Sequence, residues 1–147
     1  MNELPPAIAI QIQKLAAEGD DLAARSENEA AIEKYNVAWQ LVPDPKNEWE
    51  ASTWLLAAIG DSCFLSKFFT SGAEALRYAT VCPGGFGNPF IHMRLGQCEL
   101  ELANHGAATE HLLRAYALEG KDIFSNEQPK YFAFLRSQAE PPVSGVW

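Results

Sequence analysis

The sequence predicts an all-α fold of stacked helical hairpins, on three observations. A glycine is followed twelve residues later by a small residue and nineteen later by an alanine, three times over: Gly19, Ala31, Ala38; Gly60, Gly72, Ala79; Gly96, Ala108, Ala115. Position sixteen of each unit is large: Tyr35, Leu76 and Leu112. Apolar residues elsewhere recur at helical spacing, and no strand pattern rises above that spacing.

The elements follow in order. Ile8 to Ala24 reads as the first helix, with Ile8, Ile12, Leu15 and Ala16 on one face and Pro5 and Pro6 just before it. Ser26 with Glu29 three residues on reads as a capping box. The second helix then runs from about Glu27 to Leu41, with Ala31, Ile32, Tyr35, Ala38 and Trp39 inward, until Pro43 and Pro45 end it. The third spans about Glu48 to Leu65 and the fourth about Ser71 to Val81, joined by a turn carrying Phe68 and Phe69. Cys82 to Pro89 is dense in turn formers, and Asn88-Pro89 suits the start of a fifth helix that runs to about Ala103. The sixth covers about Ala107 to Leu118, stopped by Gly120. Pro129 to Gln138 reads as a final helix with Tyr131, Phe132, Phe134 and Leu135 apolar, and the segment from Glu140 to Trp147 as a mobile tail.

The small-residue register is similar to that of the tetratricopeptide (TPR) repeat, which gives a TPR-like superhelix of three helix-turn-helix repeats plus a C-terminal capping helix. The repeats fall at about 12–45, 53–86 and 89–120, with the cap at about 129–137, in a single domain spanning 1–137 and a tail of 138–147. Small residues let two helices approach to about 8–10 Å, and Tyr35, Leu76 and Leu112 are expected to fill the gap toward the neighbouring pair. The residues in excess of a regular repeat fall at Asp44 to Asn47 and Gly84 to Gly87, in loops between repeats.

In a TPR domain the first helix of each pair lines a concave groove. The register puts Asp20 and Asp61 in one column, with Gln97 in the third unit, and Trp54 and Phe90 in another, beside Ala57 and Met93. Phe64, Leu65, Leu100 and Glu101 lie toward the other end. The candidate partner-binding residues are therefore Asp20, Trp54, Asp61, Phe64, Phe90, Met93, Gln97 and Glu101, an acidic surface with aromatic and thioether patches. The competing reading makes Trp54, Phe90 and Met93 ordinary core between repeats and ties Asp61 to Arg94 or His92.

The chain has 147 residues, 11 basic and 19 acidic, for a net charge of −8. That balance disfavours nucleic acid as a partner and suits a basic protein, although solubility alone also accounts for it. Residues 1–6 lack the basic and apolar segments of a secretory signal, and no apolar run approaches a membrane span, so no membrane partner and a cytoplasmic location are expected. Cys63, Cys82 and Cys98 read as buried small hydrophobes, with Cys82, before Pro83, the one candidate for an exposed thiol. His92, His105 and His111 make no metal or catalytic pattern, and the glycines at 84, 85 and 87 follow a helix rather than a strand. No enzyme activity, metal or cofactor is expected.

Several segments carry a more specific likeness: Trp49-Glu50-Ala51-Ser52-Thr53-Trp54, Ala57 to Asp61, Cys82-Pro83-Gly84, Gly87 to Gln97 and Pro129-Lys130-Tyr131-Phe132. Together they resemble a family of small bacterial TPR proteins associated with polymorphic toxin loci, over about residues 15–136. The resemblance implies an immunity protein, a cytoplasmic antidote that binds a cognate toxin domain. Lys67 to Ser71 is more apolar than the turn expected there, which marks it as a partner-specific contact. Two alternatives stand beside this reading: a TPR chaperone or adaptor for a secreted or assembling protein, and a self-associating module using Trp147, Phe68 and Phe69.

Overall fold

The computed structural model describes residues 3–147, and all regular structure in them is helical. Seven helices lie among the described residues: α1 (Pro6–Ala24), α2 (Asn28–Leu41), α3 (Glu50–Leu65), α4 (Phe69–Ala79), α5 (Pro89–Glu101), α6 (His105–Glu119) and α7 (Pro129–Gln138). Short 3-10 turns at Lys46–Glu48 and Lys121–Phe124 precede α3 and α7. The first six helices pack as sequential antiparallel pairs, α1 with α2, α3 with α4 and α5 with α6. Neighbouring pairs join through α2 on α3 and α4 on α5, and α3 also touches α5.

The recurring glycines explain how each pair closes. A Cβ built on Gly19 would meet the Tyr35 ring, one on Gly60 the Leu76 side chain and one on Gly96 the Leu112 side chain, each within 3.0 Å. The large residue thus sits on the glycine of its own pair, not in the gap toward the next pair as the spacing suggested. Ala31, Ala38, Ala73, Ala79, Ala108 and Ala115 are fully buried in the same seams. Gly72 is buried as well, against Cys98, Cys63 and the Gly60 backbone, so it serves the contact between pairs.

The turns inside the three pairs are the same turn. Ser26, Lys67 and Ala103, each seven residues after the glycine, all adopt positive φ, at 60°, 64° and 62°. The next residue donates its N–H five residues back: Glu27 to Leu22, Phe68 to Cys63 and Asn104 to Glu99. This is the Schellman pattern, which satisfies the last carbonyls of α1, α3 and α5. The carbonyls of Glu27, Phe68 and Asn104 then accept from Ala31, Gly72 and Ala108, which opens the second helix of each pair.

This geometry corrects several boundaries. Ser26 ends α1 in the left-handed region instead of capping α2, and Glu27 takes the N-cap position without a side-chain bond. The fourth helix begins at Phe69, so the expected turn from Ser66 to Thr70 is shorter and Phe69 belongs to α4. Asn88 does cap α5, its side chain accepting from the N–H groups of Phe90 and Ile91. The 3-10 turn before α3 is held by Lys46, whose ammonium donates to the carbonyls of Trp39 and Val42 at 2.7 Å each.

Two core clusters follow the chain. The larger runs through the first two pairs and into α5, from Ile12 and Tyr35 to Leu76, Ile91 and Leu95. The smaller joins Met93, Leu112 and Ala115 to Phe124, Tyr131 and Leu135, so the segment from Lys121 to Gln138 lies over the third pair. The tail expected to be mobile returns to this cluster: the Trp147 ring stands 5.1 Å from Tyr116 and 6.0 Å from Phe132, edge-on to both. No helix among the described residues is long and apolar enough to cross a membrane.

Candidate functional site

The first helices of the three pairs, α1, α3 and α5, present the predicted columns unequally. Trp54 on α3 and Phe90 on α5 are exposed, at 42% and 38% of their full surface. An exposed aromatic on a well-packed helix is held at low entropy and offers a large apolar area to a partner. Phe64 and Asp61 are half-buried further along α3, and Glu101 is half-buried at the end of α5. Asp20 is exposed at the end of α1, and its carboxylate accepts the Tyr35 hydroxyl at 2.6 Å.

Met93 and Gln97 do not reach this surface. Their side chains are 1% and 0% exposed, because Phe124, Tyr131 and the chain around Glu127 pack over α5. The third pair therefore offers Phe90 and Glu101 but not the column between them. A side chain without exposed surface makes no direct partner contact, so Met93 and Gln97 are core residues here.

Arg94 is the centre that the sequence columns did not include. Its guanidinium donates to Asp61 at 2.8 Å and to Glu127 and Gln97 at 2.7 Å each. Gln97 donates in turn to the same oxygen of Glu127 at 2.7 Å. The guanidinium carbon also lies 4.8 Å from the Phe64 ring centre and 5.1 Å from that of Phe90. Arg94 thus ties the second pair, the third pair and the segment before α7 into one network, with its side chain 11% exposed. Burial alone would pull the guanidinium down, but the bonds to Asp61 and Glu127 outweigh it and hold its pKa above the ordinary value. The alternative of an Asp61 ion pair with Arg94 is the one realised, and Asp61 remains one-third exposed.

Glu101 is engaged in a similar way. It accepts from the Tyr131 hydroxyl at 2.8 Å and from Lys130 at 2.8 Å. Burial would raise its pKa, but these two donors outweigh that and lower it. Phe64, Glu101, Lys130 and Tyr131 border an open cleft of about 390 Å³ with Lys67 and Phe69. Phe69 packs on Phe64 at 5.9 Å between ring centres, whereas Phe68 is 44% exposed on another side of the molecule. There Phe68, Trp39 and Tyr78 line a groove of about 530 Å³ between α2 and α4. Its exposed aromatics leave no trace in the first-helix columns.

The thiols and imidazoles have structural surroundings. Cys82 is buried and its thiol donates to the Tyr78 carbonyl at 3.3 Å, so it is not the exposed thiol that its place before Pro83 suggested. Burial pushes Cys63 up to about 11 and Cys98 up to about 12, away from the thiolate form that nucleophiles and metal ligands need. His92 is fully buried, with Nε2 2.6 Å from the Phe86 carbonyl. A carbonyl only accepts, so His92 Nε2 carries a proton; in the neutral ring its Nδ1 then accepts from His111 Nδ1–H, 3.0 Å away. No group of three or more histidine, cysteine or carboxylate side chains among the described residues is arranged to hold a metal ion. No protein-family model matches the chain, and no curated protein matches it in sequence.

Proposed function

We propose that this chain is a non-enzymatic, TPR-like protein-binding scaffold, and that its partner is a bacterial toxin domain which it neutralises as an immunity protein. The observation that carries the scaffold reading is the pair Trp54 and Phe90, two aromatics exposed on adjacent first helices, with the mostly buried Asp61–Arg94 network beside Phe90. Aromatic anchors next to charge on a rigid surface are what binding hot spots require, and a preformed surface loses little entropy on association. The three equivalent turns and glycine seams support the TPR-like description, since each pair repeats one packing solution. The toxin as partner rests on the family resemblance of the segments around Trp49, Pro83, Asn88 and Tyr131. The net charge of −8 agrees with a basic partner and with electrostatic steering toward it, and it disfavours a nucleic acid.

The test is co-expression with the toxin domain encoded beside this gene. The proposal expects the cells to survive and the two proteins to co-purify. A toxin that still kills, with no complex recovered, overturns the immunity reading for that pair. A neighbouring component of a secretion apparatus that binds the same face would move the assignment to a chaperone or adaptor.

A further inference from the structure

The start of α3 carries a feature separate from the Arg94 network. Trp54 borders two clefts, of about 490 and 360 Å³, which also share Glu50 and Pro83. One opens toward α1, where Leu4, Ala9 and Ile12 line it; the other opens toward Gly84 and Asn88, before α5. Glu50 lies one helical turn before Trp54 and is exposed, and Glu3 is exposed on the rim of the first cleft. No lysine or arginine among the described residues lines either cleft, and neither Glu3 nor Glu50 forms an ion pair there. The contrast with the rest of the face is sharp: Asp61 has Arg94 and Glu101 has Lys130.

This combination selects one kind of occupant. An indole face is the best aromatic surface for a cation, and a guanidinium stacked on it leaves its edge free for a carboxylate. The methylene stem of an arginine would lie along the apolar wall of Leu4 and Ala9, which keep exposed surface there. Among the described residues an acidic segment would meet only like charge there. We propose that Trp54 and Glu50 form a receptor for an arginine side chain on a basic, extended segment of the partner protein, with Glu3 adding to the attraction. The proposal rests on reading the chain as a protein-binding scaffold and adds the partner's chemistry and its point of entry.

Two measurements test it. The isotope-labelled chain is titrated with the blocked peptide acetyl-Leu-Arg-Leu-amide and with acetyl-Leu-Glu-Leu-amide, following the Trp54 indole N–H by NMR. The arginine peptide should shift that signal, less so as ionic strength rises, and the glutamate peptide should not. Glu50→Gln should weaken the arginine peptide about threefold and Trp54→Ala about tenfold, with helicity unchanged because both side chains are exposed. An unmoved Trp54 signal, or an equal response to the glutamate peptide, overturns the receptor. The second measurement separates this failure from that of the scaffold reading. If the co-expressed toxin domain binds Trp54→Ala and Glu50→Gln as tightly as the unaltered chain, the receptor falls while the scaffold stands. If the arginine peptide engages Trp54 but no neighbouring toxin is neutralised, the receptor stands and the immunity reading falls.

Discussion

Gly60 has no room for a methyl group, because Leu76 occupies the space where a Cβ would be. Gly106, in the first turn of α6, has nothing within 4 Å of that position. Gly60→Ala should therefore cost about 1 to 3 kcal/mol through overpacking, while Gly106→Ala should gain about 0.5 to 1 kcal/mol by restricting the unfolded chain. Chemical denaturation of the two variants checks this, and equal effects would contradict the seam. The seam was legible in the sequence because a close helix contact leaves a mark at fixed intervals. Of the Arg94 network only the pairing with Asp61 was legible, as one of two alternatives, because its five partners come from three places in the chain and share no common spacing. His111 carries a second prediction at this scale. Burial, reinforced by the nearby His92, lowers its pKa from the ordinary 6.5. The unfolded chain then takes the proton first, so stability should fall as pH drops from about 6.5 and level off below the folded value. His111→Gln should flatten that part of the stability curve, as read from denaturation midpoints across the range.

At the scale of elements, the three hairpin turns are equivalent, yet none has the glycine that usually marks a left-handed helix end. A non-glycine residue there carries about 1 to 2 kcal/mol of strain, part of which a glycine returns as unfolded-chain entropy. Ala103→Gly should thus raise stability by about 0.5 to 1 kcal/mol, measured by thermal or chemical unfolding, whereas a glycine two residues earlier, inside α5, should lower it. The absence of glycine is also why the boundary at Ser26 was misread. Ser26 and Glu29 have the spacing of a capping box, and the alternative, a serine in the left-handed region, leaves no compositional signal. Asn88-Pro89 was legible for the opposite reason, since a side-chain cap and a proline at the first helical position each have one strongly preferred place. Phe69 falls in the expected turn because the sequence pattern starts the fourth helix at about Ser71; the structure starts it at Phe69, whose ring packs on Phe64.

Across the whole molecule, the segment from Lys121 to Gln138 decides how much of the first-helix face remains open. Repeat register alone puts Met93 and Gln97 on that face, and only the fold of a later, irregular segment carrying Glu127 covers them. Glu127 also gives the covering segment a polar link to the body, through Arg94 and Gln97, beside the bonds of Lys130 and Tyr131 to Glu101. Arg94→Met should cost about 2 to 3 kcal/mol, below the usual range for a fully buried pair, because Asp61 can rehydrate. Denaturation should show this loss together with faster proteolysis after α6; a neutral Arg94→Met would mean that the network does not hold the segment. The central claim is that the partner docks on the face of Trp54 and Phe90, while the glycine seams only pack helices. Hydroxyl-radical footprinting of the complex with the neighbouring toxin domain tests it most directly, because four of the five exposed aromatics among the described residues, Trp54, Phe90, Phe68 and Tyr78, are exposed to a similar degree in the free chain. The prediction is that Trp54 and Phe90 lose reactivity while Phe68 and Tyr78, in the groove between α2 and α4, keep theirs. Protection of Phe68 and Tyr78 with Trp54 and Phe90 unchanged would contradict it.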